Sequence, residues 1–159
     1  MDANRVRIVF AREDARALYA EGGGDFLTPA TGLSAGFDLR ACFAEESARI
    51  AAHSRLFIPA GVSIQPCSPD IAGFVYSRSG LGARDGLTVA QGVGIIDPDY
   101  TGEILVPLLN TSGAERVVKR GERIAQLVFQ PVVRPTWEET ARLSPTERGA
   151  GGFGHTGNF

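Results

Sequence analysis

Several residue types are scarce in this chain, and each scarcity argues against a class of protein. Among 159 residues there are two cysteines, two histidines, one tryptophan and one methionine. The cysteines, Cys42 and Cys67, and the histidines, His53 and His155, do not have the spacing of zinc ligands. Two cysteines without a secretory leader also argue against a disulfide framework. We therefore predict reduced thiols and a cytoplasmic location.

The chain also lacks an excess of positive charge. Lys and Arg number 16 against 18 Asp and Glu, which gives a net charge of −2 and no electrostatic footprint for nucleic acid. Residues 1–10 are too short and too charged to form a signal or membrane segment. We expect no nucleic acid and no membrane as partners. A small phosphorylated ligand is still compatible with this charge, because such a site needs only a few well-placed cations.

The apolar residues, 43% of the chain, recur mostly with the two-residue period of a β-strand. Short runs rich in β-branched and aromatic residues end at Gly, Pro, Asn or Asp turn signals; the runs are 6–10, 55–58, 61–64, 73–76, 92–96, 103–109, 116–118 and 124–133. Only residues 12–21 have helical composition, and three glycines follow them. Many short strands at close spacing predict an all-β sandwich or barrel.

Residues 146–159 differ in composition from the rest of the chain. They contain many glycines and almost nothing to bury, which by itself favours a frayed terminus. Yet Arg148, Phe153 and Thr156 lie among these glycines, and they can bind phosphate or stack on a base. We therefore predict a β-barrel domain at 1–145 and a flexible arm at 146–159 that becomes ordered on a ligand.

Two short segments combine glycine with residues suited to phosphate chemistry. The segment AGFDLRA (35–41) places Asp38 between apolar residues. Asp38 could belong to a site, but an acid that faces solvent on an edge strand explains the pattern equally well. The segment SRSGLG (77–82) offers the planar fork of Arg78, the hydroxyl of Ser79 and the exposed backbone of Gly80 to an anion. Taken alone, this second segment also fits a surface turn.

Two further segments place polar side chains next to apolar strands. In GVGIIDPDYTGE (92–103), Asp97 occupies a turn, where aspartates usually cap their own backbone. An apolar hairpin before it and Tyr100 after it could instead shield a carboxylate and offer a ring to a sugar. In RGERIAQLVF (120–129), Arg123 and Gln126 interrupt a core strand, so they either satisfy each other or face a ligand.

Together with the glycine-rich arm, these segments supply one candidate base, several phosphate donors and two aromatic rings, without a metal cage. That combination suits a nucleoside triphosphate whose magnesium is held mainly by the substrate's own phosphates. In order and chemistry, the five segments resemble the five motifs of the trimeric dUTPase family, from about residue 26 to residue 157. The resemblance implies hydrolysis of dUTP to dUMP and pyrophosphate by water attack on the α-phosphorus, with Mg²⁺ as cofactor. That reaction keeps uracil out of DNA and supplies dUMP for dTMP synthesis.

The resemblance also implies a fold and an assembly. It predicts a jelly-roll-like β-barrel of the dUTPase β-clip type. It predicts a homotrimer with active sites between subunits, in which the C-terminal arm of one chain closes over a pocket formed by the others. The partners implied are therefore dUTP and two further copies of this chain.

Residue by residue, the resemblance assigns roles within that site. Asp97 matches the general base that activates water, and Asp38 matches the acid that organises magnesium indirectly, through water. The substrate contacts implied are Arg78, Ser79 and Gly80 at the phosphate chain, Gln126 at the α-phosphate, Gln91, Gly94 and Ile96 in a base-reading hairpin, Tyr100 under the deoxyribose, Phe153 on uracil, and Arg148, Gly154, His155 and Thr156 in the arm.

The chain departs from the family pattern at three places. Ser77 stands where proline is common, from which we expect only a change in loop stiffness. Gln91 stands where some relatives carry asparagine, and the stretch 14–20 has no role that the sequence indicates.

Two alternatives stay open. A dCTP deaminase shares the fold and some of the phosphate loop, but it needs a glutamate at the pyrimidine C4, where this chain has Asp97. A dUTP-responsive binding or signalling protein is the other alternative.

Overall fold

The computed structural model describes residues 4–21, 27–152 and 155, and within these ranges it is built mostly from antiparallel strands. The strands are β1 Val6–Phe10, β2 Phe37–Arg40, β3 Ser47–Ile50, β4 Arg55–Pro59, β5 Val62–Pro66, β6 Ile71–Tyr76, β7 Leu87–Val89, β8 Val93–Ile96, β9 Leu105–Asn110, β10 Arg116–Lys119 and β11 Arg123–Pro131. One α-helix, α1 Ala15–Ala20, and one short π-helix, Leu81–Asp85, complete the described elements. The predicted all-β class is confirmed.

The strands pair into four small sheets that enclose one core. The largest has the order β2-β11-β6-β8, and the others are β4-β9-β7, β1-β5 and β10-β3. Burial alternates along β5 as expected for a strand with one face inside. The core draws on all four sheets; its largest fully buried side chains are Leu39, Ile50, Ile58, Ile104, Leu108, Ile124 and Leu127. This arrangement is the jelly-roll-like barrel that was predicted.

One polar side chain belongs to this buried set. Asn110, at the end of β9, has no exposed surface. Its Nδ2 lies 3.0, 3.1 and 2.8 Å from the carbonyl oxygens of Ile50, Ala51 and Ala114. Its Oδ1 accepts hydrogen bonds from the amide and the hydroxyl of Ser112. The buried amide is therefore fully used, as such groups must be.

The predicted helix is confirmed, but it is shorter than residues 12–21. Helix α1 buries Ala15, Leu18 and Tyr19 against the barrel. The ring of Tyr19 packs against Phe10 of β1 at a centroid distance of 6.1 Å. Isolated helices of six residues are not stable in water. The packing of this apolar face against the barrel therefore stabilises α1.

Strands β3 and β7 and the π-helix were not predicted. β3 contains only one fully buried residue, Ile50, and β7 is three residues long, so neither carries a clear alternating pattern. After β11 no helix or strand is found up to residue 152, and residues 133–150 are exposed throughout. No helix within the described ranges has the length and hydropathy of a membrane span.

Candidate active site

The candidate phosphate loop begins where β6 ends at Tyr76 and leads into the π-helix. Ser79 and Gly80 are exposed, and an added Cβ at Gly80 would meet nothing within 4 Å. Their hydroxyl and backbone groups are therefore accessible to a ligand. Arg78 turns inward instead, with its side chain 27% exposed.

The carboxylate of Asp38 holds two arginines at once. Its Oδ1 accepts a hydrogen bond from Arg78 Nε at 2.8 Å, and its Oδ2 accepts one from Arg123 Nη1 at 3.1 Å. The Asp38 side chain is only 17% exposed, so solvent screens these two ion pairs less than it screens surface pairs. Both guanidinium groups keep further N–H donors for an anion. Asp38 thus lies on an edge strand, as one explanation held, but it is paired with two cations rather than free in solvent.

Gln126 lies between the strands that carry Asp38 and the phosphate loop. In the sheet register, Gln126 of β11 is opposite Asp38 of β2 and opposite Tyr76 of β6. Its Nε2 donates to the carbonyl oxygen of Ser77 at 3.1 Å. Arg123 and Gln126 therefore do not satisfy each other, since Arg123 bonds to Asp38 and Gln126 bonds to the loop. The sheet brings three of the sequence motifs together at one edge.

Asp97 and Tyr100 form a turn at the other end of this sheet. Asp97 follows β8 and is exposed, and Tyr100 N–H donates to its carbonyl oxygen at 3.0 Å. Within the described part of the chain no side-chain partner of the Asp97 carboxylate is found, so the carboxylate is available to a ligand or a water. The hydroxyl of Tyr100 donates to the carbonyl oxygen of Glu103 at 3.1 Å, and its ring is 45% exposed.

The hairpin predicted at residues 91–96 is wrong. The chain turns at Val89–Gly92, where Gly92 N–H donates to Val89 O at 3.0 Å. The strands on either side then enter different sheets, because β7 pairs with β9 whereas β8 pairs with β6. Apolar runs on both sides of a turn are typical of a hairpin, but they form one only where the two strands pair with each other. Gln91 is exposed in this turn, and its Nε2 would lie 3.1 Å from a Cβ at Gly94.

The Asp97 turn and the phosphate grip, defined here as Asp38, Arg78, Arg123 and Gln126, lie at opposite ends of the β6–β8 pair. Gly73 is opposite Ile96, next to Asp97, and Tyr76 is opposite Val93. Three residue steps along β6, about 10 Å at about 3.3 Å per residue, separate these two ends. A water held by Asp97 would have to lie about 3 Å from it. Within one chain, the Asp97 turn and the phosphate grip are therefore separated along the β6–β8 pair.

The described part of the arm makes local hydrogen bonds. Arg148 Nε donates to Gly151 O at 2.9 Å, and His155 N–H donates to Gly152 O at 3.2 Å. Arg148 does not contact Asp97 or the phosphate grip of the same chain. The predicted contacts at Phe153, Gly154 and Thr156 lie outside the described residues.

The side chains fit magnesium held through substrate and water rather than by a protein cage. Within the described ranges no cluster of three or more His, Cys, Asp or Glu residues could hold a metal. A carboxylate has about four lone-pair sites, and the two arginines occupy one on each oxygen of Asp38. Asp38 can therefore still accept a hydrogen bond from a metal-bound water, which is the ligation that Mg²⁺ favours beside phosphates.

Ser77 has a role that the sequence did not indicate. Its hydroxyl oxygen accepts a hydrogen bond from Val89 N–H at 2.8 Å, and its carbonyl oxygen accepts the one from Gln126. Ser77 thus joins the phosphate loop to β7 and the turn that carries Gln91, and the expectation that it changes loop stiffness stays a prediction. A serine directly after a strand is the one available signal, because a hydroxyl there can reach a neighbouring backbone amide.

Comparison with known proteins supports the family resemblance seen in the sequence. A family model described as dUTPase matches residues 24–157. The deoxyuridine 5'-triphosphate nucleotidohydrolase of Actinobacillus pleuropneumoniae serotype 3 (strain JL03) is 42% identical over 146 residues, covering 91% of this chain and 96% of the relative. The protein of the same name from Pseudomonas aeruginosa (strain LESB58) is 43% identical over 146 residues, again 91% of this chain and 96% of the relative.

Solved structures agree on the fold. A dUTPase of Staphylococcus bacteriophage 80alpha, solved as a mutant with dUpNHpp, superposes with a TM-score of 0.81 at 21% identity, covering 97% of this chain and 99% of that one. The dUTPase of Streptococcus mutans gives a TM-score of 0.67 at 23% identity over 83% and 98% of the two chains. The family model spans most of the chain, and relatives above 40% identity match along nearly their whole length. The chain belongs to the dUTPase family.

Proposed function

We propose that this protein hydrolyses dUTP to dUMP and pyrophosphate. The observation that carries the proposal is the convergence of three separate sequence motifs: Asp38 lies on β2, Gln126 lies opposite it on β11, and Arg78 lies in the loop that follows β6 and donates to Asp38. Two guanidinium groups and an amide next to an exposed Ser79 hydroxyl suit a chain of phosphates. The proposal includes a cytoplasmic location, with which two free thiols are compatible.

In the proposed reaction, water attacks the α-phosphorus. A bond forms between the water oxygen and the α-phosphorus, the bond to the bridging oxygen breaks, and pyrophosphate leaves. Asp97 accepts the proton from the attacking water, because its carboxylate is exposed and not engaged by a neighbouring cation. Ser79 and Gln126 bind the α-phosphate, so that positioning and electrostatics supply most of the acceleration. Mg²⁺ on the substrate phosphates would neutralise charge on the leaving pyrophosphate.

The site is proposed to be shared between chains of a homotrimer. The main support is the separation of Asp97 from the phosphate grip along the β6–β8 pair of one chain. A second support is the exposed segment 133–150, which has almost nothing to pack on in its own chain and includes Trp137 at 94% exposure. In the proposal, one chain supplies Asp97 and another supplies the grip. The arm, with Arg148, Phe153, Gly154, His155 and Thr156, closes over both and excludes water.

Selectivity for dUTP is proposed to come from shape at the turn and strand that carry Gln91, Gly94 and Ile96. A side chain at Gly94 would meet Gln91 Nε2 at 3.1 Å and Val75 Cβ at 3.3 Å, so this place has little spare volume. Little spare volume disfavours a 5-methyl group on the pyrimidine. In the proposal a backbone N–H of this segment donates to the C4 carbonyl of uracil, and an amino group at C4 would leave that N–H without an acceptor. Tyr100 under the deoxyribose would exclude a ribose 2′-hydroxyl.

The dCTP deaminase alternative is not favoured, because Asp97 stands where that chemistry needs a glutamate and because the relatives that match are nucleotidohydrolases. No contact in the described residues points specifically to a dUTP-responsive signalling role. The deciding experiment measures pyrophosphate released from dUTP and ammonia released from dCTP by the same preparation. We expect pyrophosphate and dUMP from dUTP and no ammonia from dCTP. Ammonia release, or no reaction with dUTP in the presence of Mg²⁺, would overturn the proposed function.

A further inference from the structure

The hydroxyl of Tyr19 lies at the end of the strand that carries Asp38. Tyr19 is 3% exposed. Its hydroxyl donates to the carbonyl oxygen of Ala60 at 2.9 Å and accepts a hydrogen bond from Arg40 N–H at 3.0 Å. Burial raises the pKa of this hydroxyl well above its usual value, so it keeps its proton at neutral pH. One side chain therefore links β2 to the turn between β4 and β5.

Within the described residues, no strand pairs with the Arg40 amide on the outer side of β2. The next amide, that of Ala41, donates to Glu122 O at 2.8 Å on the β11 side. Successive amides of a strand point to opposite sides, so Arg40 N–H points away from β11. Since β2 is an outer strand of its sheet, the Tyr19 hydroxyl takes the place of a missing strand partner there.

The register of β2 against β11 shifts at the same place. Asp38 is opposite Gln126, Leu39 is opposite Ala125, but Arg40 is opposite Arg123, which leaves Ile124 as an extra residue on β11. Such a bulge bends its strand and redirects side chains. Here the residue on the far side of the bulge, Arg123, donates to Asp38 Oδ2. A shift of β2 at Arg40 would therefore change the distance between Asp38 and Arg123.

We propose that Tyr19 is a positioning residue of the active site, which holds β2 so that Asp38 faces Arg78 and Arg123 at the same time. The inference rests on the proposed function, because the two arginines are taken to bind the triphosphate. It also gives a role to helix α1, which presents Tyr19 and buries Ala15 and Leu18 against the barrel.

The test uses Tyr19→Phe, which keeps the ring and removes both hydrogen bonds. Binding of dUpNHpp to the full chain is measured by calorimetry in EDTA, so that no metal contributes. We expect the dissociation constant to rise about five- to tenfold, an effect of the size that a lost hydrogen bond produces. The same change in an Asp38→Asn background should add little, because Tyr19 acts through Asp38. Phe10→Leu is the matched control, since it loosens the packing against Tyr19 but keeps the hydroxyl. It should lower Tm without moving the dissociation constant.

Each outcome decides a separate question. If the unmodified protein binds dUpNHpp neither in EDTA nor with Mg²⁺, the proposed function fails, and this inference fails with it. If the unmodified protein binds and Tyr19→Phe binds equally well, the positioning role alone is overturned. The positioning role is also overturned if Tyr19→Phe lowers the affinity for dUpNHpp as much in the Asp38→Asn background as it does with Asp38 intact. Should Tyr19→Phe not fold, hydrogen exchange of the Arg40 amide is followed in the unmodified protein. Exchange must slow when dUpNHpp binds, and an unchanged rate overturns the inference.

Discussion

The ring of Tyr100 lies on the backbone of Gly102. A Cβ at residue 102 would lie 2.5 Å from the Tyr100 hydroxyl oxygen and 2.7 Å from ring atom Cζ, closer than such atoms approach in proteins. The hydroxyl donates to Glu103 O on the same turn. Glycine at residue 102 is therefore what allows the ring to rest there, and the ring is held half-exposed beside Asp97.

Tyr100→Ala is expected to relax discrimination between deoxyribose and ribose. Without the ring, the space that a 2′-hydroxyl would occupy is open, so kcat/KM for UTP should rise relative to dUTP by about tenfold or more. Tyr100→Phe is the control, because it keeps the ring and loses only the bond to Glu103. The measurement is kcat/KM for both nucleotides. An unchanged ratio in Tyr100→Ala would remove Tyr100 from sugar recognition.

Gly36→Ala is expected to displace the Gln126 amide. The added Cβ would lie 3.0 Å from Gln126 Oε1 and 3.1 Å from Val128 Cγ2, so we expect the amide to shift and its hydrogen bond to Ser77 O to weaken. We expect KM for dUTP to rise several-fold, with a stability loss of about 1 kcal/mol. Gly32→Ala is the matched control, since nothing lies within 4 Å of a Cβ there. Equal kinetics in the two variants would contradict a role for Gln126 in binding phosphate.

Asp97→Asn is expected to keep the fold and the binding of dUpNHpp while lowering kcat by about 10²- to 10⁴-fold, the usual cost of losing a general base. The exposed carboxylate supports no described ion pair, so Tm should stay near that of the unmodified protein. Steady-state kinetics and thermal unfolding give the two readouts. Retention of more than a third of kcat would exclude Asp97 as the base.

Mixed oligomers are expected to regain activity from two inactive chains. One chain carries Asp97→Asn, and the other is truncated after Thr146 and lacks the arm. If Asp97 and the arm of each site come from different chains, about a quarter of the sites in random mixtures receive an intact copy of both. The measurement is pyrophosphate release after co-refolding in equal amounts. Mixed oligomers verified by mass but without activity would rule out the exchanged arm.

The two thiols are expected to react at different rates. Cys42 is 1% exposed, and burial raises its thiol pKa more than nearby Arg12 lowers it. Because the thiolate is the reactive form, Cys67 should react with a disulfide reagent near pH 8, and Cys42 only after unfolding. A raised pKa in the folded state also means that the unfolded chain releases this proton first. The contribution of Cys42 to stability is therefore full below the ordinary thiol pKa and decreases as pH rises above it.

The control for this prediction is Cys67→Ser, in which the fast reaction should disappear. Denaturant unfolding at several pH values, compared between the unmodified protein and Cys42→Ala, measures the stability change. Two thiols that react equally fast in the folded protein would contradict the burial of Cys42.

Much of the fold was predictable because the strands carry their own pattern. β1 was predicted at its observed bounds, and the runs around β5, β6 and β11 were found from alternating apolar residues. The hairpin at 91–96 was wrong because local sequence fixes a turn but does not say which strands pair beyond it. β8 pairs with β6, about twenty residues earlier in the chain, and such non-local pairing leaves little trace in the sequence around the turn.

The main residues of the candidate site were predictable from the sequence, but their partners were not. Asp38, Arg78 and Gln126 could be named from motif resemblance, and the structure places them together. Their partners could not be named, because Arg123, Ser77 and Tyr19 take part through strand register and a bulge rather than through nearby sequence. The location of Asp97 away from this group was likewise not visible from spacing along the chain. The roles assigned to arm residues stay predictions.

The buried amide of Asn110 has a consequence for how the chain reaches this fold. Its hydrogen-bond partners come from the end of β3 and from the loop that leads into β10, while β9 itself pairs with β4 and β7. A slip of β9 by one residue would turn Asn110 to the opposite face and separate its amide from all of them. An unpartnered buried amide is costly in a low-dielectric interior. Asn110 therefore destabilises barrels in which β9 pairs in the wrong register. An aliphatic side chain of the same size would fill the core equally well but would not select the correct register in this way.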